Sequence, residues 1–354
     1  MTTPTSSAVD RAAWESDVLR YCRQVVLKTM LMVRGSMRGS QRLRLAEASA
    51  QLRVDKSPEN PTRRIDEDAE DLIVSALVKK FAKLPGLGAF TVFGEESGIR
   101  TFPDAALERE ADLVVFVDGI DGTEFVERQQ GGWCLLAVYD RREDEMLAAV
   151  AGDIFLDRLF WAGRSAEAEA LDFITHSWFR LDGGANPRRD LTGACINVLS
   201  TKASRFRAVA QKVSLLDAVE AAGGRINLAW GSNMILQVAA GYADAAVEFA
   251  RGFSSYDLLP GLFIGERAGL TILDLEGRPI STRLDLDRLF HAYRRDPRHP
   301  ERTTFVAAKH PGLAQRLVRL LRDNAGGDRT MADGTSSPER PVEAGAVRPS
   351  DGVE

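Results

Sequence analysis

The stretch DLVVFVDGIDGTEF at residues 112–125 joins an apolar run to two aspartates three positions apart. Residues 113–117 are aliphatic or aromatic, which predicts a buried strand. The glycines that follow favour a sharp turn and let the backbone approach a ligand closely. Asp118 and Asp121 would repel each other unless a cation lay between them, and their oxygens favour Mg²⁺, Mn²⁺ or Ca²⁺ over zinc. The structural alternative is a polar turn, because Asp-Gly pairs are common turn formers.

Three further acidic clusters stand where a predicted strand ends or a predicted helix begins. FTVFGEES delivers Glu95 and Glu96 after a short strand. TRRIDEDAEDLI has apolar side chains at helical spacing, with Asp66 and Glu70 together on another face. Asp257 precedes an apolar helical run. Singly, helical acids are most often a solvated face, and Asp257 is most often a helix-starting residue.

The composition is that of a globular protein, with 44% hydrophobic residues, 27% charged residues and a net charge of −5. The first residues lack the basic and apolar segments of a secretory signal, and no apolar run reaches membrane-spanning length, so we expect a cytoplasmic protein without a membrane partner. The acidic balance without a basic block argues against a nucleic-acid partner. The three cysteines lack the spacing of a zinc site or a disulfide framework.

Together and in this order, the four clusters resemble the motifs of the inositol monophosphatase family. This family is part of a superfamily of Mg²⁺-dependent, often lithium-sensitive phosphatases that includes fructose-1,6-bisphosphatase and the bisphosphate nucleotidases. Its Asp-Pro-Ile/Leu-Asp-Gly-Thr motif is similar to residues 118–123, its Gly-Glu-Glu to residues 94–96 and its Trp-Asp to residues 256–257. Its Asp-x-x-x-Glu helix is similar to Asp66 and Glu70. The resemblance covers most of the chain.

The resemblance implies the sugar-phosphatase fold, a mixture of α+β and α/β structure layered α-β-α-β-α, with the site between two halves. We expect an N-terminal α+β domain at residues 11–185 and a C-terminal α/β domain at residues 186–323, which contributes Asp257. The boundary lies in a segment rich in glycine, proline and charge. The ends at residues 1–10 and 324–354 are expected to be disordered, the second because it is poor in apolar residues. The resemblance also implies a homodimer.

The same resemblance implies hydrolysis of a small phosphorylated metabolite with the help of two or three Mg²⁺ ions, with Mn²⁺ as a possible substitute. Glu95, Asp118 and the backbone carbonyl of Ile120 would hold the first ion. Asp118, Asp121 and Asp257 would hold the second, so that Asp118 is shared. A third, looser ion would contact Glu95.

Other residues of the motifs are expected beside the ions. Glu96 and Glu70 would lie in or just outside the inner coordination shell. The Thr123 hydroxyl, paired with Asp66, resembles the family's dyad that orients and deprotonates the attacking water. If a helix starts here, the backbone N–H groups of Gly122 and Thr123 would bind the phosphate. The structural alternatives are a helix cap for Thr123 and a surface position for Asp66.

Contacts with the rest of the substrate follow from the resemblance too. Glu248 matches a family glutamate that accepts hydrogen bonds from substrate hydroxyls, and Ser232 opens a helix that flanks the sugar or inositol ring; helix capping is the alternative for both. Apart from the resemblance, Arg251 offers a positive charge for a second phosphate or carboxylate; the alternative is that it is solvated. Lys56 lies about where a family lysine approaches the ions, or is solvated. Inositol phosphates, sugar phosphates, histidinol phosphate and nucleotide bisphosphates all stay open as substrates.

The chain departs from the family motifs in three places: Gly119 replaces proline, Tyr256 replaces tryptophan, and Thr123-Glu124-Phe125 is one residue shorter than the usual Thr-x-Asn-Phe. None of these changes removes a carboxylate. Because glycine adds backbone freedom, we expect a less preorganised set of ligands, weak Mg²⁺ and Li⁺ binding, and tighter binding in Gly119→Pro if φ there is near about −65°. The competing function is a non-catalytic or regulatory binding protein on the same fold, which should have lost metal ligands or gained a basic face.

Overall fold

A computed structural model describes residues 10–37, 63–182, 187–199, 202–229 and 231–323. Residues 1–9 and 324–354, which make up nearly all of the predicted disordered ends, lie outside the described residues. The same is true of the predicted domain boundary at residues 185–186 and of Lys56.

The first half of the chain forms an eight-stranded sheet whose order is β2-β1-β3-β4-β5-β6-β7-β8. Its elements are α1 (Arg11–Met37), α2 (Arg64–Phe81), β1 (Phe90–Gly94), β2 (Gly98–Phe102), a 3-10 helix (Ala105–Glu110), β3 (Leu113–Asp121), α3 (Thr123–Glu127), β4 (Trp133–Asp140), β5 (Glu145–Asp153), β6 (Arg158–Gly163), β7 (Glu169–Asp172) and β8 (Ser177–Arg180). Strands β1 and β3 are parallel, and the other neighbours in this sheet are antiparallel. Strand β4 is buried along its whole length, as expected for a strand covered on both faces.

The second half forms a five-stranded sheet whose order is β10-β9-β11-β13-β12. Its elements are β9 (Cys195–Leu199), α4 (Ala203–Ala210), α5 (Val213–Ala221), β10 (Arg225–Ala229), α6 (Met234–Ala239), β11 (Ala245–Phe253), α7 (Ser255–Arg267), β12 (Thr271–Leu273), α8 (Leu286–Arg295), β13 (Thr303–Ala308) and α9 (Pro311–Arg322). Strand β9 is parallel to β10 and β11, while β13 is antiparallel to β11 and β12.

Three apolar cores lie between the layers of helices and sheets. Helices α1 and α2 pack on one face of the large sheet, and α6 and α7 fill the space between the two sheets. Helices α5 and α9 cover the outer face of the small sheet. The layered α-β-α-β-α arrangement is therefore confirmed. Among the described helices, none combines the length and the apolarity that crossing a membrane requires.

Candidate active site

Glu95 and Asp118 meet because β1 and β3 are parallel neighbours. Gly94 at the end of β1 is paired with Val117 of β3. The backbone N–H of Glu95 then donates to the carbonyl of Val117 at 3.1 Å. Since parallel strands end at the same edge of a sheet, the two carboxylates leave that edge side by side.

A bulge in β3 brings Asp121 to the side on which Asp118 lies. In a regular strand, side chains alternate, so residues three apart point to opposite faces. Here Asp118 stands opposite Leu135 of β4, whereas Asp121 stands opposite Trp133. Three residues of β3 thus cover two of β4, and the extra residue reverses the alternation. The strand that we expected to end before Asp118 therefore continues through both aspartates.

Asp257 reaches the same place from the first turn of α7. Its carboxylate accepts the backbone N–H of Ser254 at 3.2 Å, as part of a capping box. Asp257 is thus a helix-capping residue, as its structural alternative predicted. This capping role does not prevent it from also lying in a metal site. One ligand atom each from Glu95, Asp118 and Asp257 lies within 4.8 Å of the other two.

Carboxylates this close and this buried require a counter-charge. Burial raises the pKa of Asp257 well above its usual range, and the negative charges of Glu95 and Asp121 raise it further. Removal from bulk water also raises the pKa of Asp121, against the effect of its hydrogen bonds from Ser232. A cluster of carboxylate oxygens suits a hard divalent cation such as Mg²⁺ or Mn²⁺. The residues therefore fit the cofactor that the sequence predicts.

Ser232 holds Asp121 in place. Its backbone N–H and its hydroxyl each donate to Oδ2 of Asp121 at 2.9 Å, and Ser232 is fully buried. Gly231, with φ +82°, lets this segment come close, because a Cβ there would lie 3.2 Å from the same oxygen. Both donors of Ser232 are thus used on a carboxylate, and its contact with the substrate stays a prediction.

Glu248 is also a buried structural residue. Its Oε1 accepts the backbone N–H groups of Ala250, Arg251 and Gly252 at 2.9, 2.6 and 2.9 Å. These bonds span the irregularity of β11 between Glu248 and Phe253. Glu248 therefore shapes the segment that carries Arg251. Its acceptance of substrate hydroxyls stays a prediction.

The structure pairs Thr123 with Asp66. The Thr123 hydroxyl donates to Oδ1 of Asp66 at 2.6 Å and lies 3.2 Å from the carbonyl oxygen of Ile120. Oδ2 of Asp66 accepts the backbone N–H of Arg63 at 2.9 Å, which caps α2. Asp66 is buried rather than a surface residue. Helix α3 begins at Thr123 after Gly122, whose φ is +86°.

Glu70 fixes the turn that presents Glu95. Its carboxylate accepts the backbone N–H of Glu96 at 2.9 Å and that of Ser97 at 2.7 Å. Burial raises the pKa of Glu70 to about 7 despite these hydrogen bonds. Gly94 makes the room, because a Cβ there would overlap the Glu70 carboxylate. Glu96 is itself buried, with 5% of its surface exposed, and it lines the pocket beside the carboxylate cluster.

Gly119 lets α2 approach β3. A Cβ at this position would lie 2.8 Å from the backbone nitrogen of Glu70 and 3.0 Å from the Cβ of Ala69. Because the nearer atom belongs to a helix backbone, it cannot move aside cheaply. The interpretation of Gly119 as a loosened position is therefore corrected. Proline there would clash with α2, so the expected weak Mg²⁺ and Li⁺ binding loses its basis.

We predict that Gly119→Ala lowers the free energy of unfolding by about 1–3 kcal/mol, because the added methyl overpacks the contact with α2. Gly119→Pro should cost at least as much. Denaturant unfolding followed by circular dichroism measures both. The control is Gly35→Ala in α1, where a Cβ meets nothing within 4 Å and should be neutral or slightly stabilising. Wild-type stability in Gly119→Ala would contradict the packing described here.

A cavity of about 190 Å³ is lined by Asp66, Glu95, Glu96, Asp121 and Asp257 and is rich in basic side chains as well. Gly122, Thr123 and Tyr256 line it too. Its basic residues are Arg63, Lys202, Arg205, Arg251 and Arg302. Of these, only Arg251 was considered from the sequence. The others are scattered among 46 lysines and arginines without a motif. Lys202 and Arg205 share the start of α4, at Ala203–Ala210.

Comparisons with known proteins bear on both the fold and this site. A model of the inositol monophosphatase family matches residues 14–325. Among solved structures, the extragenic suppressor protein suhB of Bartonella henselae is similar with a TM-score of 0.62 at 19% identity, covering 86% of this chain and 98% of that one. An IMPase of Thermotoga maritima gives 0.60 at 16% identity, covering 87% and 98%. An inositol monophosphatase of Anabaena gives 0.57 at 15%, covering 86% and 95%. At these identities the likeness shows the fold alone. A search of curated proteins finds no significant match.

Proposed function

Because the chain belongs to the inositol monophosphatase family, we propose that it is a metal-dependent phosphomonoesterase that acts on a small phosphorylated metabolite. The observation that carries this proposal is the Thr123–Asp66 hydrogen bond beside the cluster of Glu95, Asp118 and Asp257. A proton acceptor and a cation site in one cavity are the two parts that hydrolysis of a phosphate ester needs.

The cation site would be built from residues at the ends of β1 and β3 and from the first turn of α7. Glu95, Asp118, Asp121, Asp257 and the carbonyl of Ile120 would hold Mg²⁺ or Mn²⁺. When bound, such ions neutralise charge on the phosphate and the leaving oxygen and favour ionisation of the attacking water. The buried hydrogen bonds of Ser232 to Asp121, and of the Ser254 N–H to Asp257, keep these two carboxylates in place.

Thr123 and Asp66 would move the proton. The Thr123 hydroxyl donates to Asp66, so its oxygen can accept a hydrogen bond from water in the cavity. As the water oxygen bonds to phosphorus and the bond to the leaving oxygen breaks, the water proton would pass to Thr123 Oγ1, the threonine proton would pass to Asp66 Oδ1, and the leaving oxygen would take a proton from a second water molecule. The Arg63 N–H holds the other oxygen of Asp66 and fixes its orientation. The N–H groups of Gly122 and Thr123 would hold phosphate oxygens.

Several expectations from the sequence remain predictions within this proposal. They are Mg²⁺ as the ion in use, a homodimer, a cytoplasmic location and the two domains. The alternative, a non-catalytic binding protein on the same fold, was expected to have lost metal ligands or gained a basic face. The retained carboxylates favour the enzyme.

The test is phosphate release from a panel of inositol, sugar, histidinol and nucleotide phosphates. We predict that protein treated with EDTA is inactive and that Mg²⁺ or Mn²⁺ restores release, since the carboxylates alone repel an anionic ester. Colorimetric phosphate detection measures this, and circular dichroism controls for folding. Folded protein that binds Mg²⁺ by calorimetry yet stays inert on the whole panel would overturn the proposal and favour the binding protein.

A further inference from the structure

We propose that Arg205, Arg251 and Arg302 form a second anion site in the cavity, which binds a phosphate or carboxylate of the substrate other than the phosphate that is hydrolysed. The substrate would then be a small metabolite with two anionic groups, either a bisphosphate or a phosphorylated acid. This inference rests on the proposed function, because it assigns the scissile phosphate to the carboxylate cluster and the second anion to the arginines.

The three arginines come from separate elements that converge on one cavity. Arg205 lies in α4, Arg251 in β11, and Arg302 directly before β13, and all three line the cavity that also contains Asp257. The guanidinium of Arg302 donates to the carbonyl of Gly252 at 3.2 Å, next to Arg251. This contact ties two of the arginines to one short stretch of the paired strands.

The stretch that carries Arg251 is built rigidly. Gly252 has φ +75°, and a Cβ there would lie 2.8 Å from the backbone of Thr303. The three N–H bonds to Glu248 fix the other side of the same turn. Preorganised donors of this kind lose little entropy when they bind a planar or tetrahedral anion.

The electrostatics of the cluster favour an anion. Desolvation by the surrounding protein lowers the pKa of Arg251, although the residue is exposed at the surface. The positive charges of Arg302 and Arg205 lower this pKa further. Partial burial likewise lowers the pKa of Arg205, with Glu248 and Asp121 opposing and Arg302 adding to the effect. The guanidinium groups are therefore close enough to repel one another. An anion between them would relieve that repulsion through charge-assisted hydrogen bonds.

Once cations are bound, the acidic residues nearby no longer neutralise the charge of Arg251. Asp257 and Glu95 attract Arg251, and Asp121 attracts Arg205. Two divalent cations would neutralise the charge of the carboxylates that hold them, and these include both acids that attract Arg251, so Arg251 would be left to attract the substrate.

The test compares substrates that differ only by the second anion. 3-Phosphoglycerate against glycerol 3-phosphate tests a carboxylate, and fructose 1,6-bisphosphate against fructose 6-phosphate tests a phosphate. We expect wild-type kcat/KM to be at least about tenfold higher for the member with two anions in one of the pairs. Arg251→Gln should lower that value about 10- to 100-fold while changing the other member less than about threefold.

Controls separate charge from fold. Arg251→Lys should retain part of the preference, and Arg225→Gln, which changes an exposed arginine of β10, should retain all of it. Calorimetric binding to Mg²⁺-loaded Thr123→Ala protein, with and without Arg251→Gln, gives a readout apart from turnover and should show about a tenfold loss of affinity for the same member. Equal losses within each pair, or no wild-type preference in either, would overturn the second anion site. Absence of phosphate release with selective binding intact would instead overturn only the phosphatase.

Discussion

Asp118→Asn is expected to lower kcat/KM for phosphate release by on the order of 10³-fold or more, because charge stabilisation by bound cations is worth several kcal/mol and each 1.4 kcal/mol is about tenfold in rate. Asparagine retains the shape of the side chain and an oxygen that can accept the N–H of Ile120, which Asp118 binds at 2.9 Å. The fold should therefore survive while the ligand charge is lost. Phosphate release, Mg²⁺ calorimetry and thermal unfolding of the same sample measure the three properties.

The matched control for this variant is Asp68→Asn. Asp68 lies on the exposed face of α2, two residues from Asp66, with 59% of its side chain exposed. Its replacement removes a negative charge close to the site without removing a ligand, and we expect wild-type activity. An Asp118→Asn protein that binds Mg²⁺ and turns over as the wild type does would remove Asp118 from the cation site.

Thr123→Ala is expected to lower kcat by about 10²- to 10⁴-fold, the usual contribution of a positioned general base, with Mg²⁺ affinity within about threefold of wild type. Alanine removes the hydroxyl that links water in the cavity to Asp66, yet it removes no carboxylate. Steady-state kinetics at saturating Mg²⁺, together with calorimetric titration of the ion, separates the two effects.

Thr123→Ser provides the control, since serine keeps a hydroxyl at the same place and should retain most of the activity. Parallel losses of turnover and of Mg²⁺ affinity in Thr123→Ala would assign the hydroxyl to ion binding instead. Wild-type turnover in Thr123→Ala would show that Asp66 acts without it.

The parts of the fold that local sequence determines were predictable. The apolar run at residues 113–117 predicted a buried strand, and β3 (Leu113–Asp121) is observed there. The motif carboxylates stand out in the sequence because each cluster lies where an apolar run ends or a helix begins. The end of β3 could not be predicted, because the bulge between Asp118 and Asp121 is defined by the pairing of β3 with β4.

The contacts that could not be predicted from the sequence share one cause, because each of them joins residues far apart in the chain. Ser232 lies 111 positions from Asp121, its acceptor. Gly119 was interpreted through its own backbone freedom, whereas its neighbour in space is Glu70 of α2. The arginine cluster was missed for the same reason, since Arg205 and Arg302 belong to elements that meet only in the folded protein.

Because of the bulge in β3, the site constrains the number of residues between Asp118 and Asp121 more strongly than it constrains which residues these are. Glycine stands at position 119 where relatives have proline, and the carboxylates still converge. Inserting or deleting a single residue between Asp118 and Asp121 would instead turn one carboxylate to the opposite face of the sheet. In divergent relatives, the number of residues between these two aspartates therefore indicates an intact site better than the identity of those residues does.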